Sequence, residues 1–150
     1  MTEIRPETVQ PDIIRVRVYW EDTDAAGIVY YANYLKFMER GRTEWLRRRG
    51  IDQRPLLERD GFGFAVREVA LDYQAPARLE DMLTVSTVIS AHGGAWVTFD
   101  QMVSRGDQLL VRGTIKCVAL SPATGQPRRL PKELVALVRT RDRIVNLSSK

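Results

Sequence analysis

Apolar and polar residues alternate from Ile13 onward, with Ile14, Val16, Val18 and Trp20 on one side of an extended chain and Arg15, Arg17 and Tyr19 on the other. A period of two predicts a strand with one buried face, starting after Pro11. Residues 1–11, with Pro6 and Pro11 and little periodicity, read as a loose N-terminal arm. After the turn-rich run Glu21-Asp22-Thr23-Asp24-Ala25-Ala26-Gly27 the spacing becomes helical, from about Tyr31 to Arg49. Tyr31, Tyr34, Leu35, Met38, Trp45 and Leu46 form one apolar stripe, with Gly41 on the same side and charged residues opposite. Arg47, Arg48 and Arg49 meet the negative end of the helix dipole, and Gly50 supplies the left-handed cap. A glycine inside a helix costs about 1 kcal/mol relative to alanine, so Gly41 points to close contact with a strand or a neighbouring subunit.

Beyond a connection containing Pro55 and Gly61, four further strands follow. Val69, Leu71 and Tyr73 alternate in the first, Leu83, Val85, Thr87 and Ile89 in the second, and Val97, Phe99 and Val103 in the third. In the fourth, Leu109, Val111, Gly113, Ile115, Cys117 and Ala119 share a face. Turn residues at Ala91-His92-Gly93-Gly94 and Arg105-Gly106-Asp107 predict hairpins, hence an antiparallel meander. Pro131 opens a short terminal helix to about Arg139, and residues 141–150 form a polar tail. The order predicts an α+β architecture over a single domain, 1–150, with the long helix laid on one sheet face.

Composition narrows the class. At 44% hydrophobic and 28% charged, the chain is too apolar for disorder, and 150 residues suit one core. It lacks both an apolar run of roughly 18 residues and a signal-peptide core, which predicts a cytoplasmic protein. With one cysteine, Cys117, and one histidine, His92, neither a disulfide nor a multi-cysteine zinc site is expected. Cys117 falls in phase with the apolar face of its strand and reads as a buried thiol, while His92 reads as a turn residue. The net charge of +4 admits a phosphate-bearing partner, either coenzyme A or nucleic acid; no nucleic-acid-binding module is recognisable.

Candidate chemistry concentrates between Tyr19 and Tyr34, where carboxylates and aromatics meet a strand-to-helix junction. Free backbone N–H groups at a helix start can stabilise an oxyanion, and Asp24 stands a few residues before them. An aspartate so placed can attack a carbonyl carbon or activate water. Asp22, Thr23 and Asp24 can equally serve as turn and cap residues.

The run Trp20-Glu21-Asp22-Thr23-Asp24, with Ala26-Gly27-Ile28-Val29-Tyr30-Tyr31 and Asn33-Tyr34, resembles the signature of the 4-hydroxybenzoyl-CoA thioesterase family, which includes the YbgC-like acyl-CoA thioesterases associated with the Tol-Pal system. The resemblance implies a hotdog fold, a five-stranded antiparallel sheet wrapped around one long central helix, and an acyl-CoA thioesterase needing no cofactor. By position it implies Asp24 as the catalytic carboxylate and the Tyr31 backbone N–H as the donor to the thioester carbonyl. Gly27 would allow close backbone approach, and Tyr30 and Asn33 would shape the acyl pocket and fix the turn. Many YbgC-like members carry histidine where this chain has Tyr31; tyrosine is closer to the aromatic-acyl branch. Hotdog dehydratases present a catalytic histidine beside the helix, and none is found here, which favours hydrolysis.

Arg128 and Arg129, in the loop before Leu130, are candidate ligands for the CoA phosphates. A five-stranded sheet leaves a long edge to be paired, and family members pair such edges, which implies a homodimer or homotetramer with the site at the subunit interface. The family also implies a peripheral link to envelope or phospholipid-synthesis proteins. The competing reading is a non-catalytic acyl-CoA or acyl-carrier binding protein in which Asp24 is a turn residue.

Overall fold

The computed structural model describes residues 11–139, so the polar tail and all of the N-terminal arm but Pro11 lie outside the described residues. Five strands form one antiparallel sheet: β1 (Asp12–Arg17), β2 (Gly63–Tyr73), β3 (Met82–His92), β4 (Trp96–Arg105) and β5 (Gln108–Leu120), in the order β1-β3-β4-β5-β2. The meander β3-β4-β5 follows the predicted hairpins. Helix α1 (Asn33–Arg47) crosses the face of this sheet against β1, β3 and β4. This is the predicted α+β hotdog arrangement.

The helix is shorter than its apolar spacing predicted, at 15 residues. Its inward stripe is Tyr34, Phe37, Met38, Gly41, Arg42, Trp45 and Leu46. Phe37 takes the place expected of Tyr31, which precedes the helix and is 62% exposed; Leu35 is only half-buried. Gly41 meets the sheet at close range, because a Cβ there would lie 2.8 Å from Thr87 Oγ1 and 3.0 Å from Gln101 Nε2. The neighbour foreseen for Gly41 is therefore a strand pair. At the far end, Arg48 donates to the Ile13 carbonyl at 2.7 Å, while Arg49 pairs with Asp12 at 2.6 Å and lies over the Trp45 ring. The arginine cluster thus ties α1 to β1 as well as meeting the helix dipole.

Three further differences from the predicted pattern have local causes. Trp20 leaves the inward face of the first strand, since β1 ends at Arg17 and Trp20 opens a 3-10 turn, Trp20–Asp22. The connection around Pro55 contains helix α2 (Gln53–Asp60), whose single buried residue, Leu56, gave too little periodicity to see. Pro55 is tolerated in its first turn, where N–H groups have no intrahelical acceptor, and Gly61, at φ 59°, closes it. In β5 a register shift opposite Val103 and Ser104 turns Leu110 inward, so Leu109 is only half-buried, while Val111 to Ala119 keep the predicted face.

Strand β2 differs from its neighbours. Val66, Val69 and Tyr73 are 50%, 42% and 45% exposed, so its alternation leaves apolar side chains on a sheet edge that no further strand pairs among the described residues. The predicted terminal helix, α3, spans residues 132–139 and buries Leu134 and Val138. Cys117 is buried and burial pushes its thiol above the usual range, with the Arg42 charge pulling the other way.

Candidate active site

The loop from Tyr19 to Ala32 is organised from within. The Tyr19 N–H donates to Asp22 Oδ2 at 2.8 Å, and the Thr23 hydroxyl to the Trp20 carbonyl at 2.8 Å, so two short polar side chains close the 3-10 turn. The Asp22 carbonyl then accepts from both the Tyr30 N–H and the Asn33 side-chain amide, each at 2.9 Å. Asn33 is buried at the start of α1 and fastens the loop to the helix. Asp22 and Asn33 are positioning residues.

Asp24 lies at the tip. Its N–H donates to Ile28 O at 2.9 Å, its carbonyl accepts from Gly27 at 3.0 Å, and its Oδ1 accepts from Ala26 N–H at 2.9 Å. That last contact is an Asx turn, so the structural role foreseen for this carboxylate coexists with an exposed position. Among the described residues Oδ2 accepts no hydrogen bond. Gly27 closes the turn at φ +79°, a backbone conformation that side chains disfavour, and nothing lies within 4 Å of where its Cβ would be.

Three residues after Asp24's turn closes at Ile28, the Tyr31 N–H has no protein acceptor among the described residues. Its carbonyl is held by the Tyr73 hydroxyl at 2.7 Å, a link from the last residue of β2 that the sequence pattern did not reveal. Tyr30, Tyr31, Tyr73 and Tyr34 make a chain of ring contacts, with centroids 4.8, 6.4 and 5.7 Å apart. The hydrogen bond with Tyr31 pushes the Tyr30 phenol up, and burial does the same for Tyr34 and Tyr73. These phenols are neutral donors and apolar walls at neutral pH, and Asp24 is the carboxylate among them.

The loop is braced by the Val29 N–H on Ala77 O at 2.9 Å, which places Asp24, Gly27, Tyr30, Tyr31 and Asn33 together at the Tyr73 end of β2. Arg128 and Arg129 are at the other end. Arg128 donates to the carbonyls of Asp60 and Gly61, closing α2 beside the start of β2. Arg129 lines a cavity of about 750 Å³ with His92 and Lys132. The eleven residues of β2 separate the two ends by roughly 33 Å at ~3.3 Å per residue. Within one chain the arginines do not join Asp24.

Comparison with known proteins matches this arrangement. The model of the Thioesterase-like superfamily covers residues 18–138. The chain is 43% identical over 121 residues to the acyl-CoA thioesterase YbgC of Haemophilus influenzae, spanning 81% of this chain and 89% of that protein. It is 30% identical over 123 residues to the 1,4-dihydroxy-2-naphthoyl-CoA hydrolase of Acaryochloris marina, spanning 79% and 88%. A probable thioesterase from Bartonella henselae has the same fold, with a TM-score of 0.77, 36% identity, and coverage of 81% of this chain and 99% of that one. The match over most of both chains, on a sheet and helix of the same order, shows that this chain belongs to the thioesterase-like superfamily.

Proposed function

We propose that the chain hydrolyses acyl-CoA thioesters, with Asp24 as nucleophile or general base and the Tyr31 N–H polarising the carbonyl. The observation that carries this reading is a single loop presenting an exposed carboxylate with one oxygen unengaged, and a backbone N–H with no acceptor, among the described residues. A thioester carbonyl oxygen accepting that N–H gains stabilisation as negative charge develops on it, a term of about 3 to 4 kcal/mol per donor in well-studied acyl-transfer sites. The Asp24 carboxylate then either bonds the carbonyl carbon, expelling the CoA thiolate and leaving an anhydride for water to cleave, or takes a proton from water as that water attacks. Each route ends in free acid and CoA and calls for no cofactor. Tyr30 and Gly27 border the approach, while Asn33 maintains the loop.

The relatives named for acyl-CoA hydrolysis supply the substrate class. The exposed apolar edge of β2 supports a homodimer, or a tetramer built from it, formed by edge-to-edge pairing. In antiparallel pairing of two β2 strands, the Gly63 end of one copy lies beside Tyr73 of the other. Arg128 and Arg129 of a second copy would thereby approach the thioester site as ligands for CoA phosphates, which no single chain allows. Among the described residues no helix is long and apolar enough to cross a membrane; the reading places the enzyme with the acyl-CoA pool of the cytoplasm. A peripheral link to envelope or phospholipid-synthesis proteins remains part of the proposal through its relatives alone.

The test is release of free CoA thiol from short-chain, long-chain and aromatic acyl-CoAs by the native protein and by Asp24→Asn. Asparagine keeps an oxygen for the Ala26 N–H, so the loop should persist. Hydrolysis by the native protein that the variant lacks supports the mechanism. Release from none of the thioesters, with binding retained, identifies an acyl-CoA binding protein instead.

A further inference from the structure

Arg42 lies on the inward face of α1 at 9% exposure, an environment that ionised side chains enter only with partners. Among the described residues it has one acceptor, Gln101 Oε1 at 3.0 Å, and no carboxylate within ion-pair distance. Gln101 is itself 1% exposed and fixed, its amide donating to the Met38 carbonyl and to Thr87 Oγ1, each at 2.8 Å. The guanidinium is therefore aimed by a rigid buried network that neutralises none of its charge. No fully buried side-chain nitrogen among the described residues lacks a partner, so the remaining Arg42 N–H groups reach the surface of the cavity that Arg42 lines.

That cavity, about 130 Å³, lies between α1 and the start of β2, and Leu46, Phe64, Phe99 and Cys117 give it apolar walls. A space of similar volume holds a benzene ring. Glu39 and Val66 line it where α1 and β2 reach solvent, both exposed, and Glu39 is engaged by the Thr43 hydroxyl at 3.0 Å.

We propose that this cavity is a binding subsite for a small organic carboxylate whose apolar body is a ring or a short chain, with Arg42 as its counter-ion. The inference stands on a buried cation with no carboxylate within ion-pair distance among the described residues, aimed at the wall of an apolar chamber. The free-acid source does not depend on the Asp24 mechanism, whereas the dicarboxylic acyl source rests on that reading and on the β2 pairing that brings this chamber beside Tyr73 of a second copy. A free acid carries this chemistry, and so does the far carboxylate of a dicarboxylic acyl group. The chamber has room for the body, and a planar guanidinium meets a carboxylate with two parallel N–H donors.

Calorimetric titration of the full chain with benzoate and with its neutral isostere benzamide, at constant ionic strength, tests the proposal. Native protein should prefer benzoate by about tenfold or more, the scale of one lost charge-assisted contact. Arg42→Met should lose the preference, and Glu39→Gln should strengthen it by removing a like charge. Should Arg42→Met fail to fold, the benzoate-over-benzamide ratio of the native protein and its change in Glu39→Gln carry the test. Equal binding of the two probes to native protein overturns the proposal. So does a preference that survives in Arg42→Met, and a dimer that dissociates in Arg42→Met with the preference intact would show that a second copy neutralises the charge. The kcat/KM ratio for glutaryl-CoA over butyryl-CoA, native against Arg42→Met, separates the two sources of carboxylate. If neither thioester is hydrolysed, the thioesterase reading fails for these substrates while the benzoate preference still decides this one.

Discussion

Two charged groups, Asp24 and Arg42, are positioned by opposite means. Asp24 is exposed at the tip of a loop whose hydrogen bonds run mainly to neighbours a few residues away, so its placement is local and its charge stays solvated. Arg42 is buried, and its placement depends on Gln101, 59 residues further along the chain. Removing the first charge should leave the fold intact. Disturbing the second should be felt throughout the core, because an unpaired buried charge costs far more than an exposed one.

The largest effect is expected where that contrast is broken from the core side. Gln101→Leu strips Arg42 of its acceptor and leaves the Met38 carbonyl and Thr87 without their donor, and should lower stability by about 3 kcal/mol in urea denaturation. Asp24→Asn should reduce kcat by about 100-fold or more, the typical contribution of a positioned acid or base. The same variant should move the urea midpoint little, since surface changes of this kind stay within ~0.5 kcal/mol. A large stability loss there would mean that Asp24 is chiefly a turn residue. Gly41→Ala forces a methyl against Thr87 and Gln101 and should destabilise by about 2 kcal/mol, which tests how tightly α1 is seated on the network.

Smaller effects sharpen the comparison at the loop. Tyr73→Phe releases the Tyr31 carbonyl, and a loss of about 1 kcal/mol is expected, read best as lowered kcat/KM with secondary structure unchanged. The pair Asp81–Arg105, at 2.6 Å, braces the 76–82 loop next to the site. Burial opposes ionisation of Asp81, but the Arg78 N–H and the Arg105 side chain prevail and hold its carboxyl below the ordinary value. A depressed folded-state pKa stabilises above the unfolded carboxylate value of about 3.9 and loses that stabilisation as pH falls through the folded value. Because both partners are partly exposed, less than ~1 kcal/mol is at stake. Asp81→Asn should therefore differ from native protein in urea midpoint at neutral pH and converge with it as pH falls through the depressed folded-state value.

The contrast between local and long-range placement also explains which features are legible in the sequence. Asp24, Gly27, Tyr30, Tyr31 and Asn33 come together because they are close in sequence, and a strand-to-helix junction gathers them whatever the rest of the chain does. Arg128 and Arg129 are also neighbours in sequence, but their distance from Asp24 depends on the course of β2 and β5, and spacing along the chain carries no such information. Helix α2 is not legible in the sequence because a helix with one buried residue has almost no periodic signal. Leu109 departs from the face its alternation predicts because a single register shift changes the phase of everything before it. In the sequence Arg42 is one more charge on a helix rich in them, and its spacing carries no sign of the polar partner that lets it turn inward.

The hydrophobic periods of the sequence by themselves determined the element order, the antiparallel meander and the inward face of most strands, since each depends on neighbours within a turn or a hairpin. Only the tertiary structure decided that Tyr73 would hold the Tyr31 carbonyl, that β2 would be an open apolar edge, and that Arg42 would face a chamber with Gln101 at its back. Those outcomes depend on which distant segments share a boundary, and burial, with the cost it places on an unpaired charge, is a property of that boundary.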